Sequence, residues 1–159
     1  MVFEIIRPLV DRAAIARSIL EGLPEWFGIQ KAREEYIERA GELPMLAVSI
    51  GTENIGFLSI ENKTRVSSEI FVMGVRRDWH RRGVGKCLLN AVEADVAANG
   101  IRYLIVKTLS DKPRNAPYLL TRQFYASIGF EPIDELPELW GPDNPCLLML
   151  KPLQAGSRI

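Results

Sequence analysis

The chain has 159 residues, 47% hydrophobic and 25% charged, with 20 basic and 20 acidic residues that cancel to zero net charge. One domain of that size buries about two-thirds of the surface its unfolded chain exposes, and its neutral balance offers no global field for nucleic acid. No apolar run reaches transmembrane length, the opening Met-Val-Phe-Glu-Ile-Ile-Arg lacks signal-peptide regions, and Cys87 and Cys146 are the two cysteines, which predicts a cytoplasmic protein with reduced thiols and no membrane partner.

Phe3 to Arg7 is a short apolar run closed by Pro8, a first strand. Leu9, Ala13, Ala16, Ile19 and Leu20 recur at helical spacing, and Gly22 and Pro24 stop that helix. A second helix, Ile29 to Ala40, is polar on most faces and ends at Gly41. Met45–Ile50 and Asn54–Ile60 read as strands joined by a turn at Gly51-Thr52-Glu53, and Glu69–Val75 is the next strand. Val84, Leu88, Ala91, Val92 and Val96 form one stripe of a helix over Gly83–Asn99, with Gly100 as its cap. Tyr103–Thr108 is a strand rich in β-branched residues. A loop with Pro113, Asn115 and Pro117 leads to a helix over Tyr118–Ile128, capped by Gly129. Phe130–Ile133 and Cys146–Lys151 are closing strands, with Trp140 to Pro145 supplying turn residues between them. Gln154 to Ile159 reads as a frayed tail. The fold class is α/β with α+β mixing: a single domain over 1–159, one mixed sheet, and helices on both faces.

The strand Glu69–Val75 leads through a short basic link into His80-Arg81-Arg82-Gly83-Val84-Gly85-Lys86 and then a helix. A strand that ends in a glycine turn and opens into a helix presents unpaired backbone N–H groups and the positive end of a helix dipole. That is a site for a phosphate, most simply a pyrophosphate. A P-loop needs glycine where His80 stands and Ser or Thr where Cys87 stands. A dinucleotide fingerprint needs a third Gly or Ala where Leu88 stands, and a strand feeding straight into the glycines. Neither pattern is met.

The segment 80–85 instead resembles the main motif of the GNAT superfamily of acyl-CoA-dependent N-acetyltransferases: Gln or Arg, two residues, Gly, one residue, Gly or Ala. His80 departs from its first position. Met73-Gly74-Val75 before it and Phe124-Tyr125-Ala126-Ser127-Ile128-Gly129-Phe130 after it are also similar to family signatures, and the element order matches from Phe3 to Lys151. Thr121 to Tyr125, Leu139-Trp140 and Asn144 to Cys146 resemble one bacterial subgroup. Many members carry Asn where Tyr118 stands, so a side-chain contact to pantetheine from this helix would fall to Asn115.

The resemblance implies a mostly antiparallel mixed sheet splayed between its fourth and fifth strands, and acetyl-CoA as cosubstrate without a metal. Pantetheine would pair with the backbone of Met73, Gly74 and Val75, and the pyrophosphate would take N–H groups from 82 to 87, including those of Gly83, Val84, Gly85 and Cys87. Arg81, Arg82 and Lys86 add positive charge there. The implied reaction is acetyl transfer to a primary amine by direct attack in a ternary complex; the acceptor is a small molecule or a protein amino group. A non-catalytic acyl-CoA-binding module or regulator is the alternative, and exposed edge strands near the C-terminus leave room for a homodimer.

Two proton movements assist such a transfer, one from the amine and one to the departing thiolate. Glu69, fourteen residues before Gly83, stands where the resemblance places a base; equally, it is a solvated carboxylate at a strand start. Tyr125 stands where the family places its acid; otherwise it is a core aromatic beside Phe124 and Ile128. The Val75 N–H is the expected oxyanion donor. His80, the only histidine, points along the cofactor loop, and Cys87 is a helix core residue, not a nucleophile. Trp26 and Phe27 either line the acceptor pocket or cover a sheet edge. Glu21, Glu25, Glu34 and Glu35 give a basic amine an acidic pocket, or are solvated helix faces.

Overall fold

The computed structural model describes residues 3–110 and 116–153; Asn115 and the tail at 154–159 lie outside the described residues. The elements run β1 (Glu4–Ile6), α1 (Arg12–Leu20), α2 (Gln30–Ala40), β2 (Met45–Ile50), β3 (Glu53–Asn62), β4 (Ser67–Val75), a 3-10 turn (Arg77–Trp79), α3 (Val84–Ala97), β5 (Tyr103–Leu109), α4 (Ala116–Ser127), β6 (Glu131–Leu136) and β7 (Cys146–Pro152). The strands form one sheet in the order β1-β2-β3-β4-β5-β7-β6. Pairs β1–β2, β2–β3, β5–β7 and β6–β7 are antiparallel, and β4–β5 is parallel. The parallel ladder joins Ser67–Ile70 to Tyr103–Val106, and both strands continue past it. An end of pairing at Ile70 is what a splay of the fourth and fifth strands requires.

By packing, the chain divides into two compact units: residues up to 61 with 71–95, and 62–70 with 96 onward. In the first unit, Ile15, Ala16, Ile19 and Leu20 of α1, Ile37 and Ala40 of α2, and Met45, Ala47, Phe57 and Val72 of the sheet form one buried cluster. Leu9, expected on the α1 stripe, is 84% exposed instead. The helix starts later than the periodicity suggests, because Asp11 stands in the left-handed region at φ 59° and Leu9-Val10 lie in a bend before it.

The residue before Phe57 on β3, Gly56, faces the other way, toward α3. A Cβ built on Gly56 would come within 2.8 Å of Val84 Cγ1 and 3.4 Å of Leu88 Cδ1. Glycine here lets the first turn of α3 lie directly on the sheet. We expect Gly56→Ala to lower stability by about 1–3 kcal/mol, the range for overpacking, because Val84 is β-branched and cannot swing aside. Thermal unfolding checks this; an unchanged midpoint would show that α3 shifts without cost. Gly74 answers the same need toward α1, since its Cβ would sit 3.1 Å from Ile19 and 3.2 Å from Leu20.

In the second unit, β7 is flanked by β5 and β6, and the β6 register shifts between Pro132 and Asp134. Proline lacks the N–H that a regular ladder requires. Arg122 of α4 donates from Nη1 to the Leu109 carbonyl at 2.7 Å, closing the end of β5. No described helix is long and apolar enough to cross a membrane.

Candidate active site

The end of β4 and the turn after it bring most of the expected cofactor residues together. Arg81 has φ 60° and Gly83 has φ 85°, so left-handed residues alternate along the turn. Such alternation curls backbone N–H groups toward one concavity. Arg81, Arg82, Gly83 and Lys86 are exposed, and no heavy atom lies within 4 Å of a Cβ built on Gly83. Val84, Leu88, Leu89, Val92 and Val96 are buried and fix α3 beneath the turn. The Cys87 N–H donates to the Gly83 carbonyl at 3.0 Å, so it belongs to the helix. The amides left at the helix start are those of Val84, Gly85 and Lys86. Burial raises the Cys87 thiol above its ordinary range, away from nucleophilic character. The Arg82 guanidinium lies over the Trp79 ring, 5.1 Å from its centroid.

His80 differs from expectation. Its Nε2 lies 2.7 Å from the Val75 carbonyl oxygen, and its ring meets Trp26 edge-on with centroids 5.5 Å apart. A motif position does not reveal where a side chain folds back. Glu25 pairs with Arg77, which holds its carboxyl below the usual range. Glu21 and Glu34 both pair with Arg17, Glu34 at 2.7 Å. Three of the four carboxylates considered for an acidic pocket thus pair with two arginines, Arg17 and Arg77. Trp26 and Phe27 are half-buried against the α1–α2 cluster, as are Tyr36 and Phe71. Phe27, Tyr36 and Phe71 form a row of rings with centroids 5.7 and 5.4 Å apart. Val72 is buried in this cluster, while Phe71 packs against it half-buried.

In the second unit, Glu69 is not the solvated carboxylate that a strand start suggests. It is 4% exposed, with Lys107 Nζ at 3.1 Å from Oε1 and Lys63 Nζ at 3.7 Å. Its strand neighbours leave it facing Lys107 because both side chains project from the same face of the parallel ladder. Burial pushes the Cys146 thiol up to about 11, with Lys107 pulling it down and Glu69 adding to the rise. Tyr125 is 5% exposed, against Phe130 at 5.3 Å and Phe124 at 5.5 Å between centroids. Phe124 and Ile128, expected in the core, are only half-buried, because the phase of α4 turns Tyr125 inward instead. Burial holds the Tyr125 phenol well above its ordinary range. Among the described residues no three His, Cys, Asp or Glu gather as a metal site. Gly56 and Lys107 were missed from sequence. An isolated glycine inside a strand was the available signal for the first, whereas a lysine in a strand has no local signature.

The family model described as the GNAT acetyltransferase domain matches residues 44–132. The chain belongs to that family, and it is an acetyl-CoA-dependent N-acetyltransferase by class. Its fold is similar to a GNAT-family acetyltransferase from Desulfovibrio desulfuricans, with TM-score 0.82 and 18% identity over 96% of this chain and 99% of that one. It is also similar to the ribosomal-protein-S18-alanine N-acetyltransferase of Escherichia coli, with TM-score 0.73 and 16% identity over 99% of each chain. A third similar structure, from Elizabethkingia anophelis with acetyl-CoA bound, has TM-score 0.71 and 16% identity over 95% of this chain and 98% of that one. No curated protein matches.

Proposed function

We propose that the protein moves the acetyl group of acetyl-CoA to a primary amine by direct attack in a ternary complex. The observation that carries this reading is the exposed turn at 81–86, with left-handed Arg81 and Gly83, open space above Gly83, and the start of α3 beneath it. The amides of Val84, Gly85 and Lys86 take the pyrophosphate, and Arg81, Arg82 and Lys86 add charge.

The edge of β4 extends the same site. The Arg76 N–H donates to Ile55 of β3, so the N–H and C=O of Val75 and Met73 point to the opposite edge, since each strand residue directs both groups one way. Pantetheine pairs along that edge, with the Val75 N–H aimed at the developing oxyanion. The amine nitrogen forms its bond to the acetyl carbon as the carbon–sulfur bond breaks. Glu69 receives the amine proton through water, and Tyr125 gives its phenolic proton to the thiolate.

The E. coli relative's name specifies a protein alanine; a protein amino group and a small amine both suit this chain. Thermal unfolding with acetyl-CoA, CoA, ATP and NAD tests the cosubstrate. Acetyl-CoA or CoA at 100 times its dissociation constant should add about 2.7 kcal/mol. A larger shift with ATP or NAD would mean the turn binds a different phosphate ligand.

A further inference from the structure

The final peptide of β4 is held from both sides. On one side the Arg76 N–H donates to the Ile55 carbonyl at 2.8 Å. On the other, the Val75 carbonyl receives His80 Nε2 at 2.7 Å. A carbonyl oxygen only accepts, so Nε2 carries the proton, in the neutral ring as in the imidazolium. The bond therefore survives a change in the charge of His80.

Val75 directs its N–H and its C=O to the same edge of β4. His80 takes one lone pair of that carbonyl, and the Val75 N–H is the donor presented at the same edge. The same imidazole carries Trp26 from the α1–α2 connection against its ring. Beside it, Glu25 of that connection pairs with Arg77 of the 3-10 turn. One side chain thus touches both the strand end and the α1–α2 connection.

We propose that His80 is a positioning residue: its Nε2–H fixes the Val75–Arg76 peptide and, through the Val75 backbone, the direction in which the Val75 N–H meets the thioester carbonyl, while its ring seats Trp26. This rests on the acetyl-CoA reading given above. It separates two parts of cosubstrate binding. The pyrophosphate is held by the start of α3, which His80 does not touch. The acetyl carbonyl is held by Val75, which His80 does.

The test needs no acceptor amine. Calorimetric binding of acetyl-CoA and of CoA is measured for the wild type, His80→Ala and His80→Gln. His80→Ala should weaken acetyl-CoA about tenfold, the scale of one hydrogen bond, and CoA less than about threefold. Retained CoA binding also shows that this variant is folded. Glutamine offers an N–H donor of similar reach and should restore acetyl-CoA to within about threefold of the wild type. If alanine weakens both ligands equally, or neither, or if glutamine fails to rescue, His80 does not position Val75. A wild type that binds neither ligand would instead remove the acetyl-CoA reading, and this proposal with it.

Discussion

Tyr125→Phe is expected to lower turnover about 10²-fold while leaving acetyl-CoA affinity nearly unchanged. Tyr125 is buried among aromatic rings, so two roles compete for it. A residue that only fills the core loses nothing by exchange with phenylalanine, whose ring has nearly the same volume. A proton donor to the thiolate loses its proton. Steady-state kinetics of the variant separate the two, and wild-type turnover would assign Tyr125 to packing alone.

Burial favours the neutral phenol, so Tyr125 stays protonated through the working pH range, as a donor must. The same shift fixes a stability effect. The folded chain keeps this proton at pH values where the unfolded chain has released it, above about pH 10. The stabilisation is complete below that pH and declines as pH rises beyond it. Tyr125→Phe should flatten this decline in denaturation midpoints measured between about pH 9 and 11.

The element order was legible because most helices carry an apolar stripe and most strands are short apolar runs, and Met45–Ile50 matches β2 residue for residue. Ends were less legible. The start of α1 depends on Asp11 entering the left-handed region, which no periodicity encodes. The turn before α3 could be read because glycines at fixed spacing mark it. The surroundings of Glu69 could not. Its partners Lys63 and Lys107 come from a neighbouring loop and a parallel strand, and parallel pairing leaves no mark in local sequence. His80 was visible as a departure from a motif. Its bond to Val75 depends on how the 3-10 turn at Arg77–Trp79 folds the chain back, and that turn has no hydrophobic period to announce it.

Substitution at Gly83 has the largest expected effect on cosubstrate binding, and a second glycine shows why. Gly83 has φ 85° with no heavy atom within 4 Å of its Cβ, and Gly100, which follows α3, has φ 84° with equally open surroundings. A side chain at either position costs about 1–2 kcal/mol from the left-handed backbone alone. Gly83→Asp and Gly100→Asp should therefore lower the melting temperature by similar amounts. Only Gly83→Asp places a carboxylate against the bound pyrophosphate. Two like charges about 4 Å apart near a protein surface repel by about 4 kcal/mol, a loss on the order of 10³ in affinity. Calorimetry with CoA should find no measurable binding to Gly83→Asp and near-native affinity for Gly100→Asp. Equal losses in both would trace the effect to backbone strain spreading through the helix, whereas retained affinity in Gly83→Asp would place the phosphates elsewhere.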